Sequence, residues 1–99
     1  MKHELPRKIF VVVAYDLSDD KRRTLLHKKL KAFGLAVQYS VFECLLNREQ
    51  IKQMKQMIHD NLKTKEGDRV RYYYLCESCR HRIQATDGVT RQDAPAVFA

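Results

Sequence analysis

An α+β domain is expected from three observations. Residues 9–15 form a charge-free apolar run, two later stretches carry apolar residues at helical spacing, and β-branched and aromatic runs lie between and after them. In the first run, IFVVVAY, the β-branched Val11, Val12 and Val13 read as a buried strand. Asp16 sits at its C-terminal lip. Ser18 or Asp19 can cap the helix that follows, whose first turn is acidic and whose later turns carry Lys28, Lys29 and Lys31, as the helix dipole prefers. Leu26, Leu30 and Phe33 form its apolar stripe with Leu25 flanking, and Gly34 is a ready C-terminal stop.

Residues 35–46, LAVQYSVFECLL, are too poor in charge for a surface loop and read as two strands or one bent strand, with the break near Tyr39 and Ser40. Asn47 opens a second helix, with Gln50 placed to reach back in a capping box. Ile51, Met54, Ile58 and Leu62 give that helix its core stripe, with Met57 beside it; the methionines read as core filler. Residues 63–68 form a polar loop. Residues 69–76 alternate as a strand, with Val70, Tyr72 and Tyr74 on one face and Arg69, Arg71 and Tyr73 on the other.

The order strand, helix, strand, strand, helix, strand is the ferredoxin-like, split βαβ plan, with both helices on one face of a four-stranded sheet. The chain is expected to form one such domain over 1–99, with its core at about 8–76 and a tail at 77–99. Within the tail, Ala96 to Phe98 can add a short strand to a sheet edge, and Pro95 fits the start of one. The first strand is apolar on both faces, while the helices can cover only one. A second copy of the chain is the simplest cover, so a homodimer through the open sheet face is expected.

Composition narrows the partners. Nineteen Lys and Arg against twelve Asp and Glu give a formal charge of +7 and a pI near 9.5, which favours a polyanion, nucleic acid above all. No run approaches a membrane span, and the opening MKHELPRK lacks a signal-peptide core, so a cytoplasmic protein is expected. Three cysteines, Cys44, Cys76 and Cys79, do not make a disulfide framework.

A carboxylate on a rigid strand end beside Lys21, Arg22 and Arg23 is what metal-assisted phosphodiester chemistry requires. The competing reading makes Asp16 a plain helix cap. Arg80 and Arg82 are further candidate phosphate contacts, with a solvated surface as their alternative.

Three segments together resemble a known family: YDLSDDKRR at 15–23, AFGLAVQYSVFECLL at 32–46 and GDRVRYYYLC at 67–76. They are similar to the small CRISPR-associated protein of spacer acquisition, the Cas-two family of homodimeric ferredoxin-like nucleases that partner the adaptation integrase. The run from Gln38 to Glu43 is the most specific part, and the tail with its Cys-x-x-Cys is similar to some members. The resemblance implies that Asp16, preceded by Tyr15, faces its copy across the dimer axis and that the pair holds a divalent metal, Mg²⁺ or Mn²⁺. It also implies a catalytic set of Asp16, Arg23, Ser40 and Phe42, the last two flanking the metal cleft. Leu25 and Ala36 stand where some nuclease-active members carry arginines. One carboxylate per chain is too few for a site, but two can hold an Mg²⁺ that keeps most of its waters, with Arg22 or Arg23 neutralising charge that develops in the transition state.

The remaining motifs carry less. Cys76-x-x-Cys79 supplies half of a zinc site, against the plainer reading of a semi-buried pair of small residues. His3, His27, His59 and His81 share no metal-ligand spacing, and His27 and His59 are expected at the surface. Of Tyr72, Tyr73 and Tyr74, at least one belongs to the core, though tyrosines can also stack on bases. Three functions are therefore compatible: a metal-dependent endonuclease acting on single-stranded RNA or duplex DNA, a non-enzymatic DNA-binding adapter between integrase dimers, and a related ribonuclease toxin.

Overall fold

The computed structural model describes residues 7–86. The expected terminal strand at 96–98 lies outside them. Strands β1 (Ile9–Asp16), β2 (Gly34–Gln38), β3 (Val41–Leu46) and β4 (Arg69–Leu75) alternate with helices α1 (Asp20–Leu30) and α2 (Arg48–Asp60), and a short helix α3 (Glu77–Arg80) follows β4. The sheet runs β2-β3-β1-β4 and every neighbouring pair is antiparallel. This is the ferredoxin-like order, with the apolar β1 in the interior of the sheet.

Alternation along β1 sends Val11, Val13 and Tyr15 under the helices, where they meet Phe42 and Cys44 of β3, Leu26 and Leu30 of α1, and Ile51, Met54 and Ile58 of α2. Phe33, Met57 and Leu62 pack at the margin of this core, and Leu25 stays exposed. Both helices start as their sequences dictate. The Asp19 carboxylate accepts the Arg22 N–H at 2.9 Å, and Asn47 and Gln50 close a complete capping box at 2.8 and 2.9 Å.

Gly34 plays a different part from the one expected. It is the first residue of β2 rather than a left-handed helix stop. A Cβ there would come within 2.5 Å of both Cys44 Sγ and the Glu43 carbonyl, so glycine is what lets β2 close against β3. The left-handed position is Gly67, at φ 91°, which ends a single 3₁₀ turn at Thr64–Glu66.

The polar loop before β4 also hides the most buried acid among the described residues. Asp68 is 3 % exposed. Its Oδ1 accepts from the Ser18 N–H (3.0 Å), the Ser18 hydroxyl (3.3 Å) and Arg22 Nη2 (3.0 Å), while its Oδ2 accepts from Arg22 Nε (3.0 Å) and the Lys63 N–H (2.9 Å). One carboxylate thus ties the β1–α1 turn, the first turn of α1 and the α2–β4 loop together. Burial alone would raise its pKa, but the two backbone N–H groups and the Arg22 guanidinium outweigh that and hold it below the ordinary 3.8.

Two outcomes follow. Gly34→Ala is expected to lose about 1–3 kcal/mol in chemical denaturation, because Cys44 and the Glu43 backbone cannot both give way. A group whose pKa is lowered by folding stabilises the fold above its unfolded value and loses that contribution as pH falls through the folded one. The difference in melting temperature between wild type and Asp68→Asn is therefore expected to be constant from pH 5 to 8 and to shrink below about pH 4.

Candidate nucleic-acid and metal site at the end of the central strand

Pairing along β1 fixes what surrounds Asp16. The helix-free face of the sheet carries Phe10, Val12, Ala14 and Asp16 of β1. Opposite them in β4 stand Leu75, Tyr73, Arg71 and Arg69 in turn, and in β3 Leu45, Glu43 and Val41 face Phe10, Val12 and Ala14. Asp16 is exposed and its register partner is Arg69, while Ala14 faces Arg71. Directly opposed side chains on one face are close neighbours. Ala14, Asp16, Arg69 and Arg71 accordingly border one shallow depression of about 240 Å³. Arg71 Nη1 also donates to the Tyr73 hydroxyl at 3.2 Å. An acid flanked by two arginines, at the end of a face that is mostly apolar apart from Glu43 and the Tyr73 hydroxyl, is the chemically distinctive point of the surface.

Ser40 lies at the same end, in the β2–β3 turn, where its carbonyl accepts the Tyr15 N–H at 3.0 Å. Arg23 is occupied nearby: Nη1 donates to the Leu17 carbonyl at 3.2 Å, Nη2 pairs with Asp20, and the guanidinium lies 5.8 Å from the Tyr39 ring centroid. Tyr15 points away from Asp16 into the core, as alternation demands. Its hydroxyl is 3.3 Å from His27 Nδ1, and burial raises its pKa.

Three expected site residues are corrected. Phe42 flanks no cleft. It is wholly buried on the helix face, stacked on Tyr15 at 6.3 Å and met edge-on by His27 at 5.0 Å, so it shapes the core. Arg22 is bound in a bidentate pair with Asp68 and a second contact of 3.2 Å with Glu66, which leaves it no free fork for a phosphate. The Arg80 side chain is 8 % exposed and pairs with Glu77, so it is a packing residue rather than an outward phosphate contact. Lys21 and Arg82 remain at the surface. His27, expected in solvent, is half-buried against Phe42 and Tyr15, whereas His59 is exposed.

Sequence reasoning missed Arg69 and Arg71 as neighbours of Asp16. Their shared face was legible from the period of two, but the register that sets them beside β1 was not. A stripe on α2 was also missed: Arg48, Lys52, Lys55 and His59 line a groove of about 560 Å³ against Val70 and Tyr72. Lys55 Nζ lies 5.1 Å from the Tyr72 ring centroid, within cation–π range. Tyr72 packs against the core, and Tyr73 and Tyr74 are exposed.

Among the described residues no group of three or more His, Cys, Asp or Glu side chains gathers as a metal site. Among the described residues, the carboxylate at this end of the face is that of Asp16, Glu43 lying further along it opposite Val12. One such carboxylate suits an ion which keeps most of its waters and is shared with a second carboxylate, and it does not suit a metal fully enclosed by one chain. Cys76 and Cys79 are both exposed, not semi-buried. None of the described helices is long and apolar enough to cross a membrane.

A four-stranded ferredoxin-like sheet with a strand-end acid on its open face defines the class. Comparisons with known proteins define the family: the sequence model described as CRISPR associated protein Cas2 matches residues 9–83, and the chain belongs to that family. It is 42 % identical over 76 residues to CRISPR-associated endoribonuclease Cas2 1 of Chloroflexus aurantiacus, covering 77 % of this chain and 82 % of the relative. It is 46 % identical over 69 residues to CRISPR-associated endoribonuclease Cas2 of Thermus thermophilus, covering 70 % and 72 %. Among solved structures, Cas2 of Streptococcus pyogenes superposes with a TM-score of 0.68 at 27 % identity, over 77 % of this chain and 96 % of the other. A chain of a partial Cas6-RT-Cas1–Cas2 complex gives a TM-score of 0.68 at 24 % identity, over 84 % and 96 %, a likeness of fold.

The cysteines offer a check on local electrostatics. The Ser78 hydroxyl, with Sγ–Oγ at 3.3 Å, followed by the Cys79 N–H and thiol, brings Cys76 down to about 7, while Cys76 in turn raises Cys79. Burial pushes Cys44 up to about 12. Brief alkylation with iodoacetamide at pH 7.5 is expected to modify Cys76 first and Cys79 later. Cys44 should react only on unfolding, each step being read by peptide mass spectrometry.

Proposed function

We propose that the chain works as a homodimeric endoribonuclease that hydrolyses RNA phosphodiesters with a divalent ion held between two copies of Asp16. The observation that carries this reading is the position of Asp16: exposed, at the end of the interior strand, on the helix-free face, and beside Arg69. The names of the relatives, as Cas2 endoribonucleases, supply the substrate class. The same face supports the dimer. Val12, Ala14, Val41, Leu45 and Leu75 are only half-buried in one chain and Tyr73 is 46 % exposed, so a second copy would remove apolar area from water and bring two carboxylates within reach of one ion.

The residues divide the work. Two Asp16 carboxylates would hold Mg²⁺ or Mn²⁺, which when bound lowers the pKa of a water and polarises a phosphoryl oxygen. Arg69 and Arg71 offer guanidinium groups on the same face, suited to orienting a phosphate and to balancing charge as a P–O bond breaks. Lys21 and Arg82 extend the phosphate-attracting surface. The formal +7 charge suits duplex DNA as well. A complex that names Cas1 beside a chain of this fold makes the adaptation integrase the partner we infer, with DNA held along the basic surface for spacer capture.

Asp16→Asn provides the test. Asparagine keeps the shape and caps a helix about as well as aspartate, but loses the charge that holds a hard cation. The variant is expected to sediment as a dimer and melt with wild type, while metal-dependent cleavage of single-stranded RNA falls by at least about 100-fold. Full cleavage by Asp16→Asn would remove Asp16 from the mechanism. A wild-type monomer at micromolar concentration would remove the shared ion.

A further inference from the structure

We propose that Asp68 is a positioning residue for Asp16, holding the strand end at the place and angle from which two copies can share one ion. The inference rests on the reading of Asp16 as a metal ligand and concerns a residue that this reading does not use. Asp68 sits one residue before Arg69, the register partner of Asp16, and its carboxylate binds Ser18, two residues after Asp16. Asp16 and Arg69 are therefore tethered to the same buried side chain through two and one backbone units respectively.

The restraint is stiff. Asp68 Oδ1 takes the Ser18 N–H and hydroxyl, and the Arg22 fork grips both carboxylate oxygens at 3.0 Å. Between Asp16 and Ser18, the Leu17 side chain is buried in the core and its carbonyl accepts from Arg23 Nη1 at 3.2 Å. The two residues after Asp16 are thus fixed by a packed side chain, by the bonds of the Ser18 N–H and the Leu17 carbonyl, and by a Ser18 hydroxyl whose proton is shared between Asp68 and the Glu66 carbonyl at 3.2 Å. Asp16 itself is exposed, so its aim is set by these neighbours and by its pairing with Arg69.

Stability alone is a poor explanation for this arrangement. A buried ion pair contributes little net stability compared with apolar packing of the same volume, whereas a bidentate guanidinium–carboxylate contact imposes direction. The site needs direction, because an ion shared by symmetry-related carboxylates feels the displacement of one chain twice. An apolar residue at 68 could fill the space but would accept no hydrogen bond, and a neutral amide would keep one acceptor while losing the second oxygen and the charge that hold the Arg22 fork and the Lys63 N–H.

The test uses the intact dimer and Mn²⁺ as the probe, with free Mn²⁺ counted by electron paramagnetic resonance. Amide exchange at Ser18 and Lys63 is followed in the same samples. Asp68→Asn keeps the size of the side chain and removes its charge. It is expected to weaken Mn²⁺ binding by about 10-fold or more and to speed exchange at Ser18 and Lys63, at a temperature where it is still folded and dimeric. Arg22→Lys keeps a cation without the fork and is expected to weaken Mn²⁺ binding several-fold. It carries the test if Asp68→Asn does not fold. Wild-type Mn²⁺ affinity in Asp68→Asn or Arg22→Lys, with Ser18 exchange accelerated, would overturn the inference while leaving Asp16 as the ligand. Equal Mn²⁺ binding by wild type and Asp16→Asn would overturn the metal reading and this inference with it.

Discussion

The interior place of β1 is the constraint on which everything else depends. A strand with partners on both sides has no freedom to slip, because a shift of one residue would turn Val11, Val13 and Tyr15 out of the core and bring Val12 and Ala14 in. Antiparallel pairing with β3 and β4 fixes it twice over. That register decides which side chains reach the helix-free face, and so it decides that Asp16, Arg69 and Arg71 meet there while Tyr15 and Phe42 do not. Chemistry at the strand end is a consequence of how the strand is held.

The same constraint explains why the fold was legible. Charge-free β1, the stripes of α1 and α2, the capping box at Asn47 and the break at Tyr39 and Ser40 are local signals, and each of those elements formed where its residues placed it. Other features are relations between segments distant in sequence, and no local pattern encodes them. Gly34 stood at a helix end and read as a stop; only the closeness of β3 shows that its missing Cβ matters. Asp68 stood in a polar loop and was not singled out, because its partners at Ser18 and Arg22 are 50 and 46 residues away.

The candidate site divides along the same line. Asp16 was legible because an acid that ends an apolar strand is a local contrast. Phe42 was misplaced because its side on the sheet follows from pairing with Val13, which sends it under the helices. Arg22 and Arg80 read as available cations, since composition counts charges and cannot tell which are already paired. Arg69 and Arg71 went unnoticed for the opposite reason: they drew no attention in a strand full of tyrosine until register set them beside Asp16. A +7 chain therefore presents a smaller and more directed cationic surface than its sequence suggests.

Spending an arginine on Asp68 looks wasteful in a protein whose partners are read as polyanions, yet the two needs differ. Phosphate attraction is long-ranged and tolerant, so exposed Lys21 or Arg82 can serve it from a flexible stem. Holding a carboxylate where a hydrated ion can bridge two chains demands accuracy at the scale of a hydrogen bond, and flexible surface groups cannot provide that. A domain of this size, with one modest core, has little depth from which a pocket could enforce such accuracy. A buried, fully bonded Asp68 beside the strand end does it with a single side chain. The cations at this end of the sheet thus fall into those that face a ligand and those that aim the residue that faces it, and Arg22 belongs to the second group.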